Sequence, residues 1–287
     1  MTLRVGSLTL VWMVLLAGLL GAAPAAAQGR GTAGAQERRT LIDAIGVTNP
    51  DPLPPGGPAP RMADGRPDLS GIWYSGVIGR PSAWSRTPRP QPKEDPVPFR
   101  PEARVKIDGM TPTERQLLSP AINCMPRGVP GLFVSNPYPF QLMTFPGVFI
   151  QLVEDQRDWR LVHTDRRPHP TDPDPLFNGN SSAWWDGDTL TIDSIGFDER
   201  TWIMNTGWYH SDQLRLIERI RRPSMNYLEY QFTVEDPKVL IASWTSAWRQ
   251  YTLSQIDDEL QENYCTNNQN PGQLRKLYEL ETQTGNR

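Results

Sequence analysis

The feature that most constrains the fold is a long stretch of period-two alternation that begins near Asn136. Apolar and polar residues alternate there in short runs, and turn-forming residues separate the runs. Because no long helix lies between them, the runs predict antiparallel strands rather than a parallel sheet. They read PFQLMTF, GVFIQLVE, WRLVHTD, NSSAWW, DTLTIDSI, HSDQLRLIERIRR, NYLEYQFTVED and VLIASWTSAWRQYTL, and SGIWYSG upstream adds one more.

The predicted strands need a closed arrangement. Asp186-Gly187 is a tight hairpin signal, since glycine accepts the positive φ that such turns require. A sheet of about nine antiparallel strands exposes its edges unless it closes on itself or packs on a second sheet. We therefore predict a mainly β fold, an antiparallel β-barrel, with a β-sandwich as the alternative. A barrel of about eight or more strands is wide enough to hold one small ligand.

The N-terminus has the pattern of an export signal. Arg4 supplies the positive charge, LTLVWMVLLAGLLGAA the apolar segment, and AAAQ a small-residue cleavage site. We predict a signal peptide over residues 1–27 and a periplasmic or secreted mature protein. The alternative is an uncleaved membrane anchor, because the charge-free run is long enough to span a bilayer.

The remaining chain reads as one domain with additions. Residues 28–66 are rich in Gly, Ala and Pro and predict a flexible arm. Residues 67–287 form the predicted barrel domain, with a proline-dense surface excursion over residues 77–134. In that excursion Thr111 and Glu114 are spaced as a capping box for a short helix. A second helix is predicted over residues 271–283, packed on the outside of the barrel.

The net charge and the motifs limit the classes of partner and cofactor that we expect. The net charge of −3 gives no basic patch for nucleic acid or for an anionic membrane, and we expect no membrane contact after signal cleavage. The chain lacks a P-loop, a dinucleotide fingerprint, a Cys-x-x-Cys pair and a nucleophile elbow. We expect no cofactor, and the sequence leaves the oligomeric state open.

The two cysteines, Cys124 and Cys265, are a candidate disulfide, because an oxidising compartment lets such bonds persist. The bond would close a loop of 265 − 124 = 141 residues. The alternative is a pair of buried free thiols.

Two resemblances agree with the barrel. Gly71 and Trp73 in DLSGIW resemble the G-x-W pattern that opens lipocalin-like barrels, in which the Trp closes the barrel floor under an Arg from a late strand. The segments DLSGIW, CMPRGVP, RPHP, WWDGDTLTIDSIGF and YHSDQLRLIERIRR also resemble a family of exported bacterial proteins. That resemblance implies export and a compact β fold, and it implies no particular reaction.

The segment HTD is a candidate metal site. His163 and Asp165 point to the same face if they lie in a strand, and a distant histidine, His169 or His210, would complete a 2-His-1-carboxylate iron site. The alternative is a surface ion pair between Asp165 and a following arginine.

The loop RPHPTDPDP carries His169. Its four prolines keep the chain extended and its aspartates form turns, which favours a structural loop over a calcium site. A stiff loop at the mouth of a barrel is nevertheless a good place to hold one imidazole over a ligand.

The run YHSDQLRLIERI predicts a carboxylate inside the barrel. Alternation puts His210 and Glu218 on the same face as Leu214, Leu216 and Ile220, which should face inward. A buried carboxylate with a raised pKa is suited to acid/base catalysis, with His210 or His169 as partner. The alternative is a structural Glu218 bound to an inward Arg or Tyr.

Aromatic residues in the strands suit a flat apolar ligand. We predict that the protein binds a small hydrophobic or aromatic molecule in its cavity. A cofactor-independent lyase, isomerase or hydratase that uses Glu218 is the first alternative, and a metal-dependent enzyme that uses His163 and Asp165 is the second. The predicted ligand-binding residues are Trp73, Trp159, Trp185 and Tyr230.

Overall fold

The computed structural model describes residues 55–74, 92–136, 138–254, 259–263 and 265. The predicted signal peptide at 1–27, the first part of the arm at 28–54 and the predicted helix at 271–283 lie outside these residues. The first part of the surface excursion, residues 77–91, is also outside them.

The described chain is mainly β, with twelve strands and three short helices. The strands are β1 (Gly71–Tyr74), β2 (Phe140–Phe145), β3 (Val148–Val153), β4 (Trp159–His163), β5 (Asn180–Asp186), β6 (Thr189–Ile195), β7 (Trp202–Met204), β8 (Trp208–Tyr209), β9 (Arg215–Ser224), β10 (Tyr227–Glu235), β11 (Trp244–Thr245) and β12 (Arg249–Leu253). The helices are α1 (Pro101–Asp108), α2 (Pro112–Leu118) and α3 (Gly131–Val134).

Nine strands form one antiparallel sheet that curls into a nearly closed barrel, as predicted. Their order is β4-β3-β2-β1-β12-β10-β9-β6-β5, and β11 pairs with β10 beside this path. The outermost strands β4 and β5 contact each other. Just beyond β4, the Arg166 amide donates to the Ala183 carbonyl of β5 at 2.9 Å. Strands β7 and β8 pair separately, within the connection from β6 to β9.

The two ends of the barrel differ. The tight turns β2–β3, β5–β6 and β9–β10 lie at one end, which we call the hairpin end. The predicted Asp-Gly hairpin is here: Asp186 pairs with Thr189, and Gly187 between them has φ 58°. The opposite end, the connection end, carries the β3–β4 turn and the connections β1–β2, β6–β9 and β10–β12.

The segment before β2 does not stay on the surface. Helix α2 has the predicted capping box of Thr111 and Glu114 and no buried residue, so it is a surface helix. Helix α3, in contrast, buries Leu132 and Phe133. The Phe133 ring stacks on Tyr230 inside the barrel, with centroids 4.0 Å apart. The last part of the predicted surface excursion therefore fills the core.

Trp73 and Arg222 lie together towards the hairpin end. Trp73 is fully buried and its indole N–H donates to the Leu69 carbonyl at 3.1 Å. The Arg222 guanidinium from β9 lies 4.9 Å from the centre of the Trp73 ring. It also donates to the carbonyls of Asp68 and Ser70. This is the Trp-under-Arg arrangement that the G-x-W resemblance implied.

Among the described residues, no helix is long and apolar enough to cross a membrane.

Candidate ligand-binding cleft

Glu218 lies inside the barrel and is fully buried. Its partners Ile192 on β6 and Phe232 on β10 hold it in an unbroken register, because the one irregularity of β10 lies further along, between Tyr227 and Glu229. Arg160 on β4 reaches across the interior and donates to both Glu218 oxygens, at 2.7 and 2.8 Å.

Two further side chains complete this buried network. The Tyr230 hydroxyl donates to Glu218 Oε1 at 3.0 Å, and Arg160 Nε donates to Gln151 Oε1 at 2.9 Å. Burial raises the pKa of Tyr230 well above its usual value, so the hydroxyl keeps its proton. Both carboxylate oxygens of Glu218 are thus occupied by protein donors. These contacts match the structural alternative for Glu218, and its catalytic role stays a prediction.

The alternation had predicted that His210 and Glu218 lie on one strand, but in the structure they do not. The strand β9 begins only at Arg215. Before it, the Ser211 amide and hydroxyl both donate to Asp236 at 2.7 Å, and the chain turns there instead of extending. The His210 ring is buried, with Nε2 2.7 Å from Thr201 Oγ1 and Nδ1 3.1 Å from the Ser211 carbonyl. Burial lowers the pKa of His210.

His169 is on the outer side of the barrel. Its Nε2 lies 3.5 Å from Asp193 Oδ2, and its Nδ1 lies 3.5 Å from Asn180 Oδ1. Asp193 is also bound by Arg215, at 2.8 and 2.9 Å. Neither His169 nor His210 is a hydrogen-bond partner of Glu218, so the structure does not bring together the predicted acid/base pairs.

The HTD segment forms a surface ion pair, which was the alternative to the predicted metal site. Arg167 donates to Asp165 Oδ2 at 2.7 Å in an exposed setting. This hydrogen bond holds the pKa of Asp165 at about 2. His163 lies on the outer face of β4. No group of three or more His, Cys, Asp or Glu side chains within the described ranges is arranged to hold a metal ion.

The predicted ligand-binding aromatics lie in different places. Trp73 and Tyr230 are fully buried core residues. Trp185 is partly buried and packs against the core beside Leu190. Trp159, in contrast, is on the outside, with 62 % of its surface exposed. Trp159 therefore points away from the barrel interior; alternation alone does not tell the inner face of β4 from its outer face. A ligand-binding role for these four residues stays a prediction.

Cys124 and Cys265 form a disulfide bond, as predicted. The bridge lies at the connection end, next to the β3–β4 turn. A cleft of about 380 Å³ opens beside it. We call this the disulfide cleft; its lining residues are Cys124, Pro126, Gln156, Arg157, Asp158, Trp159 and Cys265.

The backbone around the disulfide cleft is unusual. Cys124, Gln156 and Arg157 have φ of 54°, 57° and 53°, a left-handed conformation that is uncommon in residues other than glycine. Such conformations cost free energy and persist where the surroundings fix them. Here an ion pair between Arg127 and Asp155 lies next to the turn and is almost entirely buried. Uncommon backbone conformations and a buried ion pair thus surround the cleft.

Asp158 is the acidic residue of the cleft lining. Its Oδ1 accepts from the Trp159 amide at 2.8 Å and from Asn178 Nδ2 at 3.4 Å. Its Oδ2 is buried and has no hydrogen-bond partner among the described residues. Burial raises the pKa of Asp158, and the bond from the Trp159 amide partly offsets this. An unpaired buried acceptor is costly, and a donor that reaches it lowers that cost.

The chain beyond β12 lies against one rim of the cleft. The Gln261 amide donates to Glu154 Oε2 at 2.9 Å, and Arg157 donates to Glu262 Oε1 at 2.8 Å. Sequence reasoning missed this cleft as a site, although it predicted the disulfide. Only the fold shows that the disulfide lies next to the turn before Trp159.

The fold and the cleft define a class: an antiparallel β-barrel protein with a disulfide bond and, beside it, a cleft at one end of the barrel. No protein-family model, curated protein or solved structure matches the chain. The nearly closed barrel is compatible with the lipocalin-like resemblance, and membership of the family of exported bacterial proteins stays a prediction.

Proposed function

We propose that this is an exported protein that binds a small flat aromatic molecule in the disulfide cleft, stacked on Trp159. The observation that carries the proposal is the 62 % exposure of the Trp159 side chain at the edge of a cleft of about 380 Å³. A large aromatic ring left in water forgoes the favourable free energy of burial, and a stacked ligand would recover it.

The size and walls of the cleft support a small ligand. Its volume falls within the range of small-molecule sites, roughly 300–1,000 Å³. The disulfide and Pro126 restrict movement of one wall, so little ordering entropy is lost on binding. The barrel interior is a weaker candidate, because Phe133, Tyr230 and the Arg160–Glu218 pair occupy it.

Asp158 favours a ligand that carries a hydrogen-bond donor. The carboxylate lines the cleft and has an oxygen that lacks a partner among the described residues. A small rotation of this side chain would present that oxygen to a hydroxyl or N–H group on a ring stacked against Trp159. A phenol or an aromatic N–H compound therefore suits the site better than a plain hydrocarbon.

Export fits the same picture. The disulfide agrees with an oxidising compartment, where such bonds persist. The N-terminal pattern of residues 1–27 is that of a cleaved signal peptide.

The test is a titration of the mature protein with 1-naphthol, followed through the indole N–H signals of its tryptophans by NMR. We expect a saturable, one-to-one shift of the Trp159 signal with the Trp184 signal unmoved. Trp184 is a suitable reference because it lies on the outer face of β5, against Arg166 and away from the cleft. By calorimetry, Trp159→Ala should weaken binding about tenfold and Trp184→Ala should not.

Naphthalene, which lacks the hydroxyl, should bind roughly fivefold more weakly than 1-naphthol if Asp158 accepts a hydrogen bond from the ligand's hydroxyl. Equal affinity of Trp159→Ala and the unmodified protein for 1-naphthol would overturn the proposal, as would a titration that does not saturate.

A further inference from the structure

The outer side of strands β2, β3 and β4 is mostly apolar: seven of its nine outward residues are apolar, and the other two are Gln141 and His163. Outward residues on these strands pair across the sheet: Met143 with Ile150, Ile150 with Leu161, and Leu152 with Trp159. Three members are strongly exposed, Phe145 at 50 %, Trp159 at 62 % and Leu161 at 45 %. We call this the outer apolar face; it consists of Met143, Phe145, Val148, Ile150, Leu152, Trp159 and Leu161.

The opposite wall of the barrel has a different surface. Outward positions of β6, β9 and β10 carry charged side chains that pair with one another, such as Arg221 with Glu229 and Arg215 with Asp193. Contiguous apolar patches of this kind are rare on monomeric proteins and mark a surface that something covers.

The chain itself provides a covering segment. Cys265 is fixed by its disulfide in the cleft that Trp159 also lines, so the chain leaves the described residues at the edge of the outer apolar face. From there 287 − 265 = 22 residues remain. The five residues from Cys265 to Asn270, which precede the predicted helix, can span up to about 17 Å. The face is only about 13 Å long along β4, at roughly 3.3 Å per residue.

The remaining segment has the pattern of a helix with one apolar side. Asn270 and Pro271 form a helix start, as cap and first residue. Leu274, Leu277 and Tyr278 then follow at helical spacing. At about 100° per residue, Leu280 borders the same stripe and Glu281 falls within it, whereas Arg275, Lys276, Glu279 and Gln283 lie on the other side.

We propose that the segment 271–283 is a helix that docks its apolar stripe on the outer apolar face. Trp159 lies where the cleft meets the face, so the docked helix contacts one side of the indole and leaves the cleft side to a ligand. The docking does not require the ligand, and the two proposals can fail separately.

Hydrogen–deuterium exchange on the mature protein tests the docking. One variant ends at Asn268 and keeps the disulfide; another keeps the full chain with Leu274→Ser and Leu277→Ser. In both we expect uptake in 148–153 and 159–163 to rise roughly twofold or more, with 215–224 unchanged. The matched control, Lys276→Ser with Glu279→Ser on the polar side of the same segment, should exchange like the unmodified protein.

Two other occupants of the face have their own signatures. Light scattering that shows a dimer dissociated by Leu161→Ser would assign the face to a second copy of the chain. Co-sedimentation with phosphatidylcholine–phosphatidylglycerol vesicles that Leu161→Ser abolishes would assign it to a lipid surface. Either result, or unchanged uptake in both serine and truncation variants, would overturn the docked helix. Loss of 1-naphthol binding with protection intact would instead count against the proposed function alone.

Discussion

Arg160 on β4 and Glu218 on β9 face each other across the barrel interior and form a doubly hydrogen-bonded ion pair, at 2.7 and 2.8 Å. The guanidinium also lies 5.7 Å from the ring centre of Phe133 and 5.9 Å from that of Phe149. The pair links the two halves of the sheet at a depth where water cannot replace either partner.

We therefore expect Glu218→Gln to lower the free energy of unfolding by about 3–5 kcal/mol, because it leaves a buried guanidinium without its charge partner. Urea denaturation measures the change. The matched control is Glu229→Gln, whose partner Arg221 is half exposed, and it should cost about 0–1 kcal/mol. Equal losses in the two variants would contradict a structural role for the buried pair. The double variant Arg160→Met with Glu218→Leu should recover part of that loss, because it removes both charges but leaves the buried Tyr230 hydroxyl and Gln151 amide without their partners.

We predict that Arg222 stabilises the hairpin end through the several N–H donors of its guanidinium group. Its Nη1 donates to the carbonyls of Asp68 and Ser70, and its Nη2 donates to that of Met225. Lysine keeps the charge but cannot reach these carbonyls together. Arg222→Lys should therefore cost about 2 kcal/mol in thermal or urea unfolding. Arg219→Lys, which loses one bond to Thr233, should cost less than about 1 kcal/mol, and the reverse order would refute this account.

The disulfide should contribute several kcal/mol to the free energy of unfolding. It joins residues 141 positions apart, and the chain-entropy model gives about 4–5 kcal/mol for a loop of this length. The double variant Cys124→Ser with Cys265→Ser should lose that much stability by calorimetry, and reduction of the unmodified protein should lower the unfolding temperature equally. A loss under about 1 kcal/mol would show that the unfolded chain gains little freedom when the bridge is removed.

The sequence predicts the barrel well because alternation, turn signals and strand count all depend on local pattern. Trp73, Thr111 and Gly187 have the roles that their motifs indicated. The inward side of β9 was also predictable, because Leu216 and Ile220 flank Glu218 at period two.

The candidate cleft was not predictable in the same way. It forms where Cys124 and Cys265, far apart in sequence, meet the turn before Trp159. Alternation assigns Trp159 to a face without saying which face is inside, since Arg160, a charged residue, takes the inner side. The predicted position of His210 was wrong for another reason: the hydrogen bonds from Ser211 to Asp236 turn the chain, so that the strand does not extend back to His210.

The last prediction concerns pH and His210. Because burial lowers the pKa of His210, the folded protein takes up this proton less readily than the unfolded chain does. The contribution of neutral His210 to the free energy of unfolding is complete above the pKa of this side chain in the unfolded chain, about 6.5. It is lost as the pH falls from there through the lower pKa of His210 in the folded protein. In the neutral ring Nδ1–H donates to the Ser211 carbonyl, and Nε2 lies 2.7 Å from the Thr201 hydroxyl oxygen.

Urea unfolding at pH 8, 7, 6 and 5 should then show a decline of up to about 1.4 kcal/mol per pH unit below about pH 6.5. His210→Asn should be less stable at pH 8 by about 1–2 kcal/mol, because it loses the Thr201 bond, and this one-proton decline should disappear. His163→Asn, at a half-buried position on the outer face of β4, should keep the decline. If His210→Asn retains the full decline and His163→Asn removes it, the proton responsible binds at the surface of the barrel and not beside Thr201.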